Sequence, residues 1–268
     1  MEDYQEYRLS QNRSPVTIDK AVSIMKTMIT KGFENDKVGG HALKIFQKIE
    51  TLSKKSDNER DRTFLISEYV GLIDKSPAYI KPVLICAMNT GMRAGEIRKV
   101  RWPMFDRYGK CFNLPKEIVK EERPKTVPLN TAMTQLLKTV VRCTHHDFIF
   151  TNSERNPYYD KSSFRKPLGK ICKDAEIPYG RKEENGCTFH DFRRTVKTNM
   201  VEAGVDQRYV DLIFGHTLPG ISKRYVKPNL ETLHKQMKYY SNWLENEIKN
   251  AMSEMESVDQ DVDQSVFI

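Results

Sequence analysis

The sequence predicts a mainly α-helical protein that carries a small three-stranded antiparallel β-sheet. Along most of the chain, apolar residues recur every three or four positions, which is the spacing of one face of an α-helix. The exception lies near residue 100, where three short segments with β-branched and aromatic residues are separated by turn residues such as Gly109 and Pro115. These segments are the predicted strands Val100–Asp106, Lys110–Leu114 and Lys125–Leu129.

The predicted helices have recognisable start and stop signals. Ser76-Pro77 begins one of them, because Pro is favoured in the first turn of a helix, and Gly91 ends it. Gly204 and Gly215 end two later helices in the same way. In chain order the predicted helices cover Pro15–Lys31, Lys37–Leu52, a segment capped by Ser67, Pro77–Thr90, Thr131–Val141, Lys161–Glu176, His190–Ala203, Asp206–Phe214 and Leu230–Ile248.

The balance of charge favours a polyanionic partner. The 268 residues carry a net charge of +8 with a pI near 9.1, and Lys and Arg side chains that neutralise phosphates release condensed counterions. The segment after Tyr225 is acidic, so the part ahead of it is more basic than the average. Charge alone fits a ribosomal or RNA-binding protein equally well.

Cysteine usage and hydropathy indicate the compartment. The 5 cysteines show no CxxC spacing, and no signal peptide precedes them, which favours a reducing cytoplasm over a disulfide framework. No apolar run approaches the roughly 20 residues that a transmembrane helix needs. We therefore expect a cytoplasmic protein and no membrane partner.

The segment from Thr188 to Tyr225 concentrates side chains that suit a phosphate site. His190 and Arg193 are three residues apart at a helix start, so they lie on one face. His216 follows the next helix, and the Tyr comes nine residues later. A guanidinium offers paired donors that fit phosphate oxygens, and imidazoles donate hydrogen bonds or handle a proton. Singly, each residue is more often a surface, capping or core residue, but the combination in this order indicates function.

The order HxxR, GH and Tyr resembles the C-terminal signature of the tyrosine recombinases, the phage-integrase family. The segment TGMRAGEI is similar to the family's first motif, TGxRxxE, which places its Arg at Arg93 and its supporting carboxylate at Glu96. The resemblance implies the tyrosine-recombinase-like catalytic fold of a DNA breaking-rejoining enzyme. It implies a catalytic set around the scissile phosphate that consists of Arg93, His190, Arg193, His216 and the nucleophile Tyr225.

The resemblance also implies a general acid on the hairpin between the second and third predicted strands. In the family this is a Lys eight residues ahead of the Pro that ends the third strand, and counting back from Pro128 gives Lys120. The family usually has Thr-Gly or Gly after this Lys, whereas two Glu residues follow here. Lys116 and Lys125 therefore remain alternatives for this role.

The implied reaction is site-specific recombination through a covalent 3′-phosphotyrosyl intermediate, with no cofactor and no metal ion. His145 and His146 do not suggest a metal site, because adjacent side chains point apart and no ligand set accompanies them. The alternatives are a catalytically weak DNA-binding relative and a type IB topoisomerase-like enzyme. A metal-dependent nuclease that uses the histidines is the least favoured.

The expected partner is double-stranded DNA, bound by a homotetramer, with a monomer in isolation as the alternative. Accessory DNA-bending proteins are further expected partners. The resemblance favours the integrase of a prophage or other mobile element, encoded by a bacterium or a phage.

The domain organisation is interpreted with the same resemblance. We expect residues 1 to about 15 to be poorly ordered, within a partial helical DNA-clamping domain whose first half is missing; a short helical hairpin packed on the main domain is the alternative. The last predicted helix is amphipathic, and either packs on its own domain or docks in trans. The expected segments are 1–55 (clamping domain), 56–62 (linker), 63–228 (catalytic domain), 229–250 (C-terminal helix) and 251–268 (disordered acidic tail).

Overall fold

A computed structural model describes residues 2–54, 60–160, 163–216 and 229–265. Contacts within the chain divide it into two compact units, residues 1–61 and residues 62–268. The fold class predicted from the sequence is confirmed, because the described residues form helices and one three-stranded antiparallel sheet. No helix in the described ranges combines the length and the apolar character that crossing a membrane requires.

The first unit consists of three helices, α1 (Glu2–Ser10), α2 (Pro15–Glu34) and α3 (Gly40–Gln47). Helix α1 contradicts the expectation of poor order before residue 15. The segment has no Gly or Pro to interrupt a helix, and its buried Gln5 donates a hydrogen bond to the carbonyl of Glu50. The Asp19 carboxylate on α2 accepts hydrogen bonds from the backbone N–H groups of Leu52 (2.9 Å) and Ser53 (2.8 Å), which hold the segment after α3 in place.

The described residues of the second unit form the sheet and eight α-helices. The strands are β1 (Phe105–Asp106), β2 (Cys111–Leu114) and β3 (Lys125–Pro128), paired antiparallel in that order with Phe112 opposite Val127. The helices are α4 (Ile66–Asp74), α5 (Lys81–Thr90), α6 (Ala94–Lys99), α7 (Thr131–Thr139), α8 (Arg165–Asp174), α9 (Phe189–Glu202), α10 (Gln207–Phe214) and α11 (Leu230–Ser265).

The first strand is shorter than the predicted Val100–Asp106. A 3₁₀ turn, Trp102–Met104, occupies the middle of the predicted stretch. Pro103 within that turn has no N–H to donate to a neighbouring strand, so the ladder begins only at Phe105.

Helix α5 is the centre of the core. Most of its side chains are fully buried, and it packs against α9, the helix that carries two of the predicted site residues. The C-terminal helix α11 lies on the same core, since the buried Tyr240 hydroxyl donates a hydrogen bond to the carbonyl of Met88 (2.6 Å). Helix α9 also packs against α10, and α10 in turn contacts strand β3 of the sheet.

Helix α11 has one of the two expected arrangements, and it extends beyond its predicted end at Ile248. Of the two arrangements expected for its apolar stripe, the structure has packing on its own domain, with Leu233, Met237, Tyr240 and Leu244 all buried there. The helix also continues to Ser265, so the expected disordered tail does not begin at residue 251. The continuation contains helix formers such as Glu, Met and Gln and no Gly or Pro.

Candidate active site

Arg93 lies in the turn between α5 and α6, where a left-handed glycine redirects the chain. Gly91 ends α5 with φ +60°, and a Cβ atom at this position would lie 2.6 Å from Cζ of Phe214. Both the backbone angle and the close approach of the Phe ring require glycine here. Two residues later, Arg93 is the N-cap of α6, and Glu96 is in the first turn of that helix.

The Glu96 carboxylate is the buried anchor of the site. It accepts hydrogen bonds from the backbone N–H of Arg93 (3.1 Å), from Nη1 of Arg93 (3.1 Å) and from Nζ of Lys125 (2.9 Å). Glu96, the carboxylate expected to support Arg93, therefore forms an ion pair with it. Burial acts to raise the pKa of Glu96, but the Lys125 ammonium and the backbone hydrogen bond outweigh it and hold the pKa below its usual value. Glu96 is thus a carboxylate that fixes two cations.

Lys125 begins strand β3 and is buried with only 4% of its side chain exposed. Burial lowers the pKa of Lys125, Glu96 opposes that effect, and the nearby Arg193 and Arg93 lower the pKa further. The aliphatic part of Lys125 packs on Gly215, where an added Cβ would lie 3.0 Å from Cδ of the Lys. This side chain therefore connects the sheet to the end of α10.

Arg193 is held by backbone carbonyls that come from two separate turns. Its Nη1 donates to the carbonyl of Gly91 (2.8 Å), its Nη2 donates to the carbonyl of Phe214 (2.8 Å), and its Cζ lies 4.4 Å from the centroid of the Phe214 ring. Burial, followed by the charge of Arg93, lowers the pKa of Arg193 to about 10, which leaves the guanidinium protonated at neutral pH. The side chain is fixed before any ligand binds.

His216 follows Gly215, which ends α10 in the left-handed conformation with φ +78°. The Nε2 atom lies 3.4 Å from Nη2 of Arg193, and Nδ1 lies 3.3 Å from Oδ1 of Asp211. Since the guanidinium can only donate, this geometry favours the tautomer with the proton on Nδ1. Partial burial and the charges of Arg193 and Lys197 lower the pKa of His216, which favours the neutral form of the ring.

Asp211 and Lys197 were not predicted from the sequence. The Asp211 carboxylate accepts from Nζ of Lys197 (3.2 Å) as well as contacting the His216 ring. The sequence signal for Asp211 is its position five residues before His216, in the last turns of the preceding helix. A left-handed residue that ends a helix turns the chain back over its last turn, so the residue that follows can contact a side chain of that turn.

His190 lies in the first turn of α9, which begins with a capping box between Thr188 and Asp191. The residue is exposed at the surface one turn before Arg193. Protein around the ring desolvates it, and the charges of Arg194 and Arg193 act in the same direction, so the pKa of His190 is lowered. The structure gives no direct contact between His190 and the other predicted site residues within the described ranges.

The hairpin between β2 and β3 carries the predicted general acid. Lys120 is exposed and lines an open pocket of about 770 Å³ together with Lys116, Arg93 and Glu96. The next residue, Glu121, forms a two-pronged ion pair with Arg93, in which Nη1 donates to Oε2 (2.8 Å) and Nη2 donates to Oε1. The two glutamates that follow Lys120 were noted above as a departure from the family pattern, but this contact was not predicted.

Three of the predicted residues thus come together around one position, namely Arg93, Arg193 and His216, and Glu96 supports the first of them. The predicted nucleophile Tyr225 lies outside the described residues, as does the rest of 217–228. Its role remains a prediction. Within the described ranges, no cluster of His, Cys, Asp or Glu residues has the arrangement of a metal site.

Comparison with known sequences identifies the family. A model of the phage integrase family matches residues 62–232. Transposase B from transposon Tn554 of Staphylococcus aureus is 26% identical over 177 residues, which are 63% of this chain but only 28% of that protein, so the chain spans less than a third of that relative. The tyrosine recombinase XerA of Pyrococcus furiosus is 23% identical over 253 residues, which cover 89% of this chain and 85% of that protein.

Solved structures agree in fold. The Tn1549 transposon integrase in complex with circular intermediate DNA has a TM-score of 0.63 at 15% identity, and the match covers 88% of this chain and 84% of that one. A λ integrase dimer bound to a COC′ core site has a TM-score of 0.64 at 13% identity, with coverage of 84% and 80%. At these identities the likeness concerns the fold, and the sequence match supplies the family. This chain therefore belongs to the phage integrase family, the tyrosine recombinases.

Proposed function

We propose that this chain is the catalytic part of a site-specific DNA recombinase that cleaves and rejoins DNA through a 3′-phosphotyrosyl intermediate. The observation that carries the proposal is the meeting of Arg93, Arg193 and His216 from three separate parts of the chain, fixed by the buried Glu96 and by backbone carbonyls. Such preorganised donors stabilise the charge that develops on the nonbridging oxygens of a phosphodiester in its transition state.

In the proposed reaction the phenol oxygen of Tyr225 attacks the phosphorus atom and the bond to the 5′ oxygen breaks. A histidine accepts the phenol proton, for which the neutral His216 is suited because its pKa is lowered. Lys120 gives a proton to the departing 5′ oxygen, so the products are a 3′-phosphotyrosyl link and a free 5′ hydroxyl. Attack by the 5′ hydroxyl of another strand reverses these steps. Because the bond energy is retained in the phosphotyrosyl link, no ATP is needed, and in the proposed site the Arg side chains stabilise the charge that a metal ion would otherwise stabilise.

Two features of the hairpin support Lys120 over Lys125 as the general acid. Lys125 is buried in its ion pair with Glu96, whereas Lys120 is exposed in the pocket beside Arg93. Two residues after Lys120, Glu122 adopts φ +51°, the left-handed conformation that suits the Gly found there in the family pattern. Lys116 lines the same pocket and is the remaining candidate for this role.

The proposed partner is double-stranded DNA, and we propose a homotetramer as the form that exchanges strands, with accessory DNA-bending proteins. The Tn1549 and λ integrases whose structures resemble this chain were solved bound to DNA. The net charge of +8 agrees with a polyanionic ligand. A setting in a mobile element is proposed because the relatives reported above include transposase B of transposon Tn554 and the Tn1549 transposon integrase.

The test is covalent trapping on nicked duplexes that carry candidate sites, followed by denaturing electrophoresis. A nick beside the scissile phosphate lets the short 5′-hydroxyl fragment diffuse away, so the covalent product accumulates. We expect a protein–DNA product with the parent and none with Tyr225→Phe, while Tyr239→Phe, a control at an exposed tyrosine of α11, retains it. DNA binding without any covalent product would contradict the proposal and favour a binding relative.

Two further measurements distinguish the recombinase from a topoisomerase and from a nuclease. Relaxation of supercoiled plasmids without sequence preference would favour the type IB topoisomerase activity. Loss of cleavage in EDTA would favour a metal-dependent nuclease, and we expect cleavage to be unchanged.

A further inference from the structure

The outward edge of the Arg93 guanidinium is occupied by a carboxylate from the β2–β3 hairpin. Both Nη atoms of Arg93 donate to the two oxygens of Glu121, while Nη1 also donates to Glu96. The two carboxylates differ in accessibility, because the Glu96 side chain is 1% exposed and that of Glu121 is 25% exposed. Glu96 therefore supports the guanidinium from inside the protein, and Glu121 covers the side that faces solvent.

A carboxylate in this position resembles the phosphodiester that the proposed function brings to Arg93. Each group carries one negative charge and presents two oxygens to the paired donors of a guanidinium. One edge of the guanidinium cannot bind both groups at once. A phosphate can therefore reach this edge of Arg93 only after Glu121 has left it.

The hairpin is built so that Glu121 can leave without disturbing the buried part of the site. Val119 is buried before the tip and Lys125 is buried after it, whereas Lys120 and the residues that follow Glu121 in the tip are exposed. Movement of the tip between these two fixed points would carry Lys120 along with Glu121, because the two residues are adjacent.

We propose that Glu121 is an intramolecular competitor for the phosphate site, which holds Arg93 until DNA displaces it. The displacement moves the hairpin tip, and with it Lys120, from the position seen here. This inference rests on the proposed function in one respect, namely that Arg93 binds a phosphate.

The first experiment measures phosphate binding by the full chain, so it does not depend on catalysis. Inorganic phosphate is titrated and binding is followed by isothermal calorimetry. Glu121→Gln keeps the shape of the side chain and removes its charge, and Glu122→Gln is the matched control with the same charge change one residue later. An ion pair exposed to this degree is worth up to about 1 kcal/mol, or roughly 5-fold in affinity.

We expect Glu121→Gln to bind phosphate about 5-fold more tightly than the parent and Glu122→Gln to remain close to the parent. The gain should disappear when Arg93→Ala is added to Glu121→Gln. Equal affinities of the two Gln variants would overturn the proposal, because the effect would then reflect net charge alone. Glu121→Asp keeps the charge but shortens the side chain, and an increase of affinity in this variant would confirm that the paired geometry matters.

The second experiment repeats the titration with nicked duplex DNA and covalent trapping. A tighter, Arg93-dependent binding of phosphate by Glu121→Gln without any covalent product in the parent would leave this inference standing and refute the recombinase mechanism. Covalent product in the parent, together with equal behaviour of Glu121→Gln and Glu122→Gln, would refute this inference and leave the mechanism standing.

Discussion

Replacing Glu96 by Gln should be among the most destabilising single changes at the site. The substitution keeps the size of the side chain and removes the charge that neutralises Lys125, whose side chain is 4% exposed. The remaining neighbours of that ammonium include Arg193 and Arg93, both of which repel it. Removing one partner of a buried ion pair costs about 3–5 kcal/mol, because the other charge is left buried without compensation.

The ordinary pKa of a lysine sets an upper limit on the loss of stability in Glu96→Gln. The ordinary pKa of a Lys is 10.5, so giving up its proton at pH 7 costs about 5 kcal/mol at roughly 1.36 kcal/mol for each pH unit. If repulsion in Glu96→Gln exceeds that value, Lys125 becomes neutral instead. We therefore expect a loss of about 3–5 kcal/mol in the free energy of unfolding.

The assay is urea unfolding followed by tryptophan fluorescence. Both tryptophans, Trp102 and Trp243, lie in the second unit, so the signal reports on the part of the chain that contains the site. The double variant Glu96→Gln with Lys125→Met should be more stable than Glu96→Gln alone, because it removes the uncompensated charge. Stability of Glu96→Gln should also rise with pH more steeply than that of the parent between the lowered pKa of Lys125 and 10.5, since the unfolded chain then binds the additional proton.

A cost below about 1 kcal/mol for Glu96→Gln, which is the range of an exposed ion pair, would refute this prediction. Additive effects of Glu96→Gln and Lys125→Met would refute it as well. Either result would mean that the pair is solvated and does not fix the site.

Three further changes test other parts of the site. Gly91→Ala should lower the free energy of unfolding by about 2–4 kcal/mol in the urea assay, because Ala is strained at φ +60° and its Cβ would meet the Phe214 ring. A change near zero would contradict the close packing of Gly91 on that ring. In the profile of cleavage rate against pH, the fall on the acid side should lie below pH 6.5, since the lowered pKa keeps His216 neutral to lower pH. Asp211→Asn should move that fall to still lower pH, because the carboxylate raises the pKa of the ring, and a shift to higher pH would contradict the assignment. Lys120→Met should slow cleavage by about 10²–10⁴-fold, because the variant lacks the proposed general acid. DNA with sulfur in place of the 5′ leaving oxygen should restore the rate of this variant, because a thiolate leaves without a proton. Equal losses of rate on both substrates would argue against Lys120 as the general acid.

Features that depend on local geometry could be predicted from the sequence alone. The helical spacing predicted most of the helices, and the turn residues located the three strands, although Pro103 shortened the first of them. The family motif named Glu96 as the carboxylate that supports Arg93, and the two side chains form an ion pair three residues apart. The family motifs named the candidate site residues, because their order along the chain is visible without any coordinates.

The distant groups that meet these residues became visible only in the folded chain. The contact of Glu121 with Arg93 spans 28 positions and the contact of Arg193 with the carbonyl of Gly91 spans 102. Such contacts depend on how helices and the hairpin pack, and no local pattern encodes the partner. The burial of Lys125 could not be predicted for the same reason. A lysine at the start of a short strand is usually exposed to solvent, and only the packing of distant elements around Lys125 shows that it is buried.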